Sequence, residues 1–169
     1  MRKFEIEAIS LGVNNTGYLG AFSPPVDRLI RHLVAGKILH LYSGQSTIGD
    51  VRVDIAHPNA THNCEVGEYL DKPAECWDWI VLDPPYDITD PRRKLASHKL
   101  IGPLSVNVPL RRKFNLYCRQ YTNNILWLDI CAPLIKGFRR EKLWLVIPLW
   151  YEHVRVLSWL KREMNEMFT

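Results

Sequence analysis

"WDWIVLDPPYD", residues 77–87, decides how the chain is read. Trp77, Trp79, Ile80, Val81 and Leu82 run with a single polar interruption, the pattern of a central strand covered on both faces. The run then surfaces into an acid, two prolines and a tyrosine. Proline fixes φ and lacks an N–H, so the Pro84 carbonyl is held in a stiff turn where Pro85 offers no competing donor. Asp83 and that carbonyl form two fixed acceptors, suited to the two hydrogens of an exocyclic amino group. Tyr86 offers a ring on which a planar base can stack, worth on the order of 1–3 kcal/mol. Asp and Pro are also ordinary choices for a turn that simply closes a strand.

Working outward, the 169 residues suit one domain, 1–169, and 47% hydrophobic with 24% charged residues describes a globular chain. No apolar run approaches the roughly 18 residues of a membrane span, and "MRKFEIEAIS" lacks the features of a signal peptide. These features predict an intracellular, cytoplasmic protein with no membrane partner. Cys64, Cys76, Cys118 and Cys131 show no CxxC pairing, so they are read as reduced, mostly buried thiols. His57, His62, His98 and His153 show no metal-ligand spacing, and no metal site is assigned.

The net charge of +4 is unevenly spread. Residues 87–122 carry eight basic and two acidic side chains, leaving the remainder of the chain net negative. Such a concentration suits a phosphate backbone, although a basic loop kept for solubility has the same composition. Arg92, Arg93, Lys94, Lys99, Arg111, Arg112 and Lys113 are the candidate nucleic-acid contacts, within a substrate-binding segment at about 88–113. The intervening "HKLIGPLSVNVPL" is either a mobile loop closing on a target or a packed surface loop.

"SPPVDRLIRHLVAG" predicts a helix, with Ser23 as cap, Pro24 at its first position and Gly36 as its stop. "KILHLY" predicts a buried strand opening into the turn "SGQSTIG", and "VRVDIA" and "HNCEV" predict short strands. "RKFNLYCRQYTNNILWLDICAPLI" is read as a helix ended by Pro133, and "KLWLVIPLW" as a buried strand. "HVRVLSWLKREMNEMF" can begin as strand or helix. Trp77, Trp79, Trp144 and Trp150 read as core, with Trp150 or Tyr151 also available to line a target pocket. Strands interleaved with helices imply an α/β fold with a mainly parallel sheet, and ligands in such sheets bind beyond the strands' carboxyl ends.

"DPPY" after a hydrophobic strand resembles the catalytic motif of the S-adenosylmethionine-dependent amino-methyltransferases. Its initial Asp resembles the adenine-specific DNA enzymes more than those acting on cytosine or glutamine. "FSPPVDRLIRHLV" is similar to the family's cofactor-contacting helix, and "ILHLYSGQST" to its glycine loop, in the family's order. The chain departs from the pattern at His40, where the family usually has an acid, and at Ser46, where a second loop glycine is usual.

The resemblance implies a Rossmann-like class I methyltransferase fold. Only eight residues, Ser43 to Asp50, separate the first two strands, so the first crossover should be reduced. The implied cofactor is S-adenosylmethionine, held by Ser23, Pro24, Tyr42, Gly44, Asp54 and Glu68, and the implied catalytic residues are Asp83, Pro84, Pro85 and Tyr86. The implied reaction methylates the amino group of adenine in DNA. A target inside a duplex would have to be flipped out. Because 169 residues leave little room for a recognition domain, specificity would be weak, come from a specificity subunit or homodimer, or be replaced by RNA structure. An RNA methyltransferase acting on adenine or guanine amino groups, and a nucleic-acid-binding protein that has lost the cofactor, remain alternatives.

Overall fold

The computed structural model describes residues 4–10, 22–73, 75–85, 104, 107–147 and 154–163. The strands are β1 (Glu5–Ser10), β2 (Ile38–Leu41), β3 (Val51–Asp54), β4 (His62–Asn63), β5 (Trp77–Leu82), β6 (Thr122–Asp129), β7 (Phe138–Ile147) and β8 (Arg155–Arg162). The helices are α1 (Pro24–Leu33), α2 (Val66–Tyr69) and α3 (Val108–Tyr121). One mixed sheet of eight strands takes the order β1-β7-β8-β6-β5-β2-β3-β4. Only β8 is reversed among these strands, pairing antiparallel with both β6 and β7.

Each helix follows from local chemistry. Prolines occupy the first turn of α1 behind Ser23, Val26 and Ile30 bury one face, and Arg31 and His32 complement the dipole at its end. Gly36, at φ 85°, turns the chain toward β2. A Cβ there would collide with the Asp78 carboxylate, which accepts a hydrogen bond from the Lys37 amide at 2.7 Å. In α3, the Asn107 side chain accepts from the Leu110 amide and Leu110, Phe114, Tyr117 and Cys118 face inward.

Two apolar layers cover the sheet. On one face α1 brings Val26 and Ile30 against Trp79, Val81, Leu126, Leu128, Trp144 and Leu157. On the other, α2 and α3 bring Val66, Tyr69, Leu110, Phe114 and Tyr117 against Leu39, Leu41, Ile80, Leu82, Ile125 and Trp127. Trp77, Trp79 and Trp144 are core residues, as their setting predicts, whereas Trp150 lies outside the described residues.

Two readings are corrected, and one left open is decided. The helix expected to run on toward Pro133 ends at Tyr121, and Thr122–Asp129 forms β6. Ile125, Leu126, Trp127 and Leu128 are buried on alternate faces between β5 and β8, where two-sided burial favours β-branched and aromatic side chains. Residues 155–162 are strand, resolving an ambiguous pattern. Of the four free cysteines only Cys118 is buried; Cys76 and Cys131 are exposed. The edge strand β1 has no counterpart among the expected elements, although Phe4, Ile6 and Ala8 alternate with Glu5 and Glu7.

Counted from β2, the first five strands lie in the order 3-2-1-4-5, that of a doubly wound nucleotide-binding sheet. The order reverses between β2 and β5, and a crevice beyond their carboxyl ends is where such sheets bind ligands. The connection from β2 to β3 contains no helix. It can be so short because the strands it joins have four residues each and rise only about 3.3 Å per residue.

Candidate active site at the strand exits

Leu41 and Leu82 are register partners, so Tyr42 and Asp83 are the first residues out of two adjacent parallel strands. Asp83 is 8% exposed and Pro84 is buried. Both predicted acceptors, the Asp83 carboxylate and the Pro84 carbonyl, therefore belong to the strand-order switch. Pro85 is half-buried, and Tyr86 lies outside the described residues.

The loop leaving β2 is tightly shaped. Tyr42 adopts φ 58°, a left-handed conformation that costs a bulky residue about 1–2 kcal/mol, and Gly44 follows at φ 48°. The Ser43 amide donates to the Val53 carbonyl at 3.0 Å, and the Ser46 amide to the Ser43 carbonyl at 2.9 Å. Asp54, at the exit of β3, accepts from the Gly44 amide at 3.0 Å through Oδ2, and from the Ala56 and His57 amides at 3.0 and 2.9 Å through Oδ1. A carboxylate has about four acceptor positions, so Asp54 retains one, on Oδ2, for a hydroxyl group. Ile55 beside it is a large exposed apolar residue.

Four buried polar atoms near this loop have no hydrogen-bond partner among the described residues: Ser23 Oγ, His40 Nε2, Tyr42 Oη and Ser43 Oγ. Leaving such a group unsatisfied costs about 1–3 kcal/mol; Tyr42 packs with the core on the α2 side of the sheet, whereas His40 lies against Phe22 on the α1 side. Burial pushes the Tyr42 phenol well above its ordinary value, with Glu65 adding to the shift, and keeps the hydroxyl protonated as a donor.

His40 is fully buried, stacks on Phe22 with centroids 5.3 Å apart and planes 11° apart, and lies 3.2 Å through Nδ1 from the Ile48 carbonyl. A carbonyl only accepts, so Nδ1 carries the proton and Nε2 is left as an acceptor. Burial pulls the imidazole pKa down to about 4, against a lesser opposing effect of the Ile48 carbonyl. A neutral ring thus stands where the resemblance has an acid.

The other predicted residues divide. Pro24 is exposed and lines a cleft of about 330 Å3 between α1 and residues 45–47. Glu68 is exposed on α2, one strand further out than Asp54. Arg111 and Arg112 are exposed near the start of α3. Because α3 passes directly into β6, its start points toward the strand exits and carries these charges with it. Lys113 is engaged elsewhere, pairing with Asp71 at 2.7 Å and donating to the Gly67 carbonyl at 3.0 Å, which ties α3 to α2. Arg92, Arg93, Lys94, Lys99 and Tyr151 lie outside the described residues.

Asp129 is the acid that sequence reading missed. It ends β6 as Asp83 ends the apolar run of β5, and it is 3% exposed. Its carboxylate accepts from Trp127 Nε1 at 3.1 Å and the Ile130 amide at 2.7 Å. Burial raises its pKa against the pull of these bonds. Reading residues 122–129 as helix concealed the parallel between "WIVLD" and "ILWLD". Compared with protein-family models and with curated proteins, the chain matches none.

Proposed function

We propose that the protein is an S-adenosylmethionine-dependent methyltransferase of the class I Rossmann-like kind, acting on the exocyclic amino group of adenine in DNA. One observation carries the reading. The sequence "DPP" leaves β5 at the switch of strand order, next to a β2 exit that opens into a strained, glycine-containing loop. The order of helix, loop and DPPY supports it through the resemblance those motifs carry.

The residues present fit the cofactor. Ser23, Tyr42 and Ser43 offer orphaned polar atoms, Asp54 a remaining acceptor position, and Ile55 an apolar surface for a ring. Ser23, Pro24, Tyr42, Gly44 and Asp54 would hold it, with Glu68 at the margin. When bound, the cofactor supplies a sulfonium methyl group. Asp83 and the Pro84 carbonyl accept the two amine hydrogens and so fix the direction of the nitrogen lone pair. Burial of Asp83 keeps competing water from that position. Tyr86 supplies the stacking ring, and Arg111 and Arg112 hold phosphates on the approach to the rim.

A second reading draws on His40 and on Asp54. A neutral histidine replaces the acid, and three backbone amides already occupy most of the Asp54 carboxylate. Both features suit a nucleic-acid-binding protein that keeps the fold without the cofactor. RNA remains the alternative polymer in either case. Incubating the protein with methyl-labelled cofactor and separate DNA and RNA pools, then identifying the modified nucleoside by mass spectrometry, decides among them. Label in methyladenine from DNA, lost in Asp83→Ala, is the expected result; label on guanine or on protein would refute the adenine assignment.

A further inference from the structure

The helix-free connection between β2 and β3 leaves the flank of α1 open beside residues 45–47. There lies the cleft of about 330 Å3, with Phe22 and Pro24 as apolar wall, Asp27, Arg28 and Arg31 along the helix, and Gln45, Ser46 and Thr47 opposite. Its polar groups are arranged as donors. Arg31 is locked in place: Nε donates to Asp27 Oδ2 at 2.7 Å and Nη2 donates to Asp27 Oδ1 at 3.4 Å and to Thr47 Oγ1 at 2.8 Å. Asp27 is thereby neutralised, and Arg31 Nη1 takes no part in these bonds. Thr47 Oγ1 accepts from Arg31, and Ser46 Oγ accepts from the Ile48 amide at 3.2 Å, so both hydroxyl protons remain to be donated. Arg28 is exposed on the same helix face and forms no hydrogen bond or ion pair with the other described residues.

We propose that this cleft binds a phosphate group. Asp27, Arg28 and Arg31 leave a local charge of one positive unit, held chiefly at Arg28. Two guanidinium groups and two hydroxyls approach from opposite walls, which matches a tetrahedral anion with acceptors on several sides better than a flat carboxylate. The cleft adjoins Gly44 in sequence through Gln45 and runs along the flank of α1 to Arg31 in that helix's last turn. The group can belong to a nucleic-acid backbone or to a free phosphorylated molecule. Only the first source rests on the function proposed above.

The test uses the full chain and three probes. Inorganic phosphate is titrated by phosphorus NMR, a short single-stranded oligodeoxynucleotide by fluorescence anisotropy over a range of salt, and S-adenosylmethionine by calorimetry. Arg28→Ala is expected to weaken phosphate about tenfold, with Arg28→Lys recovering part of the loss and the thermal midpoint unchanged. Thr47→Val, which also removes a contact to Arg31, is expected to weaken phosphate by a smaller factor. If the oligonucleotide's salt slope falls by about 0.7 in Arg28→Ala, the phosphate belongs to a nucleic-acid strand. An unchanged slope with lost phosphate binding assigns the cleft to a free phosphorylated ligand. Phosphate and oligonucleotide binding both unaffected by Arg28→Ala would overturn the proposal. So would a loss of cofactor affinity with phosphate binding intact, which would give the cleft to the cofactor's carboxylate.

Discussion

Helix α3, which leads into β6, and residues 42–50, which lead into β3, are held to the same sheet by different forces. The helix is fastened by apolar burial: Phe114 is fully buried and meets Trp127 edge-to-face, with centroids 5.4 Å apart, while Leu110 and Tyr117 extend the contact. The connection has Ile48 as its buried apolar anchor, with Tyr42 packed against the core of the opposite face, and is further held by a set of hydrogen bonds. Asp54 holds Gly44, Asp50 accepts from the Ile38 amide at 2.8 Å, and Asn59 donates to the Gln45 carbonyl at 3.1 Å. Arg52 donates to the Gly49 and Asn59 carbonyls at 2.7 and 3.0 Å. Apolar packing tolerates small shifts, whereas a hydrogen-bond lattice fixes atoms in place. On the function proposed above, the lattice falls where backbone atoms would be positioned for a ligand, and the apolar packing where they would not.

This contrast can be broken at either end. Phe114→Ala should be the costliest single change, about 3–5 kcal/mol by urea denaturation, because it leaves a cavity beneath a 14-residue helix. Little change in midpoint would mean that α3 is not held by its core face.

The pH dependence should come next. His40 has a folded pKa of about 4 against an ordinary value of 6.5, so between these values the unfolded chain takes up a proton that the native ring refuses. Stability is therefore complete above about pH 6.5 and is lost as the pH falls toward 4, by up to about 3 kcal/mol. Denaturation curves at several pH values should show this slope, and His40→Gln should flatten it. An equal slope in the variant would place the titration elsewhere.

Asp54→Ala should destabilise by about 2–3 kcal/mol, since three backbone amides lose their acceptor together. Amide exchange should accelerate at Gly44, Ala56 and His57 while α3 stays protected, and uniform acceleration would contradict a local lattice. Arg52→Met keeps much of the aliphatic stem and removes two carbonyl contacts, so a loss of only about 1–2 kcal/mol is expected, confined to residues 49–59 in exchange.

Much of the fold was legible because local signals agreed with global ones. The prolines of α1, the apolar runs of β2 and β5, and the short gap before β3 each had one physical reading, whereas Ser23 stands at the N-cap position without the side-chain hydrogen bond expected of it. Reading failed where periodicity was ambiguous. Around Tyr121 the chain passes from helix to strand without a glycine or proline, and only burial between β5 and β8 decides it. That failure hid Asp129 as well. The positions of Asp83 and Gly44 were legible from motifs, but the three amides on Asp54 were not, because two of their donors lie in the following turn and the third on the neighbouring loop.

Calorimetric titration of S-adenosylmethionine into the wild type and into Asp83→Ala and Asp54→Ala tests most directly whether the exits of β2 and β5 form one methyl-transfer site. Micromolar binding in the wild type is predicted, kept in Asp83→Ala, which orients only the amine, and abolished in Asp54→Ala. No binding to the wild type at millimolar cofactor, or equal binding by the Asp54 variant, would contradict it.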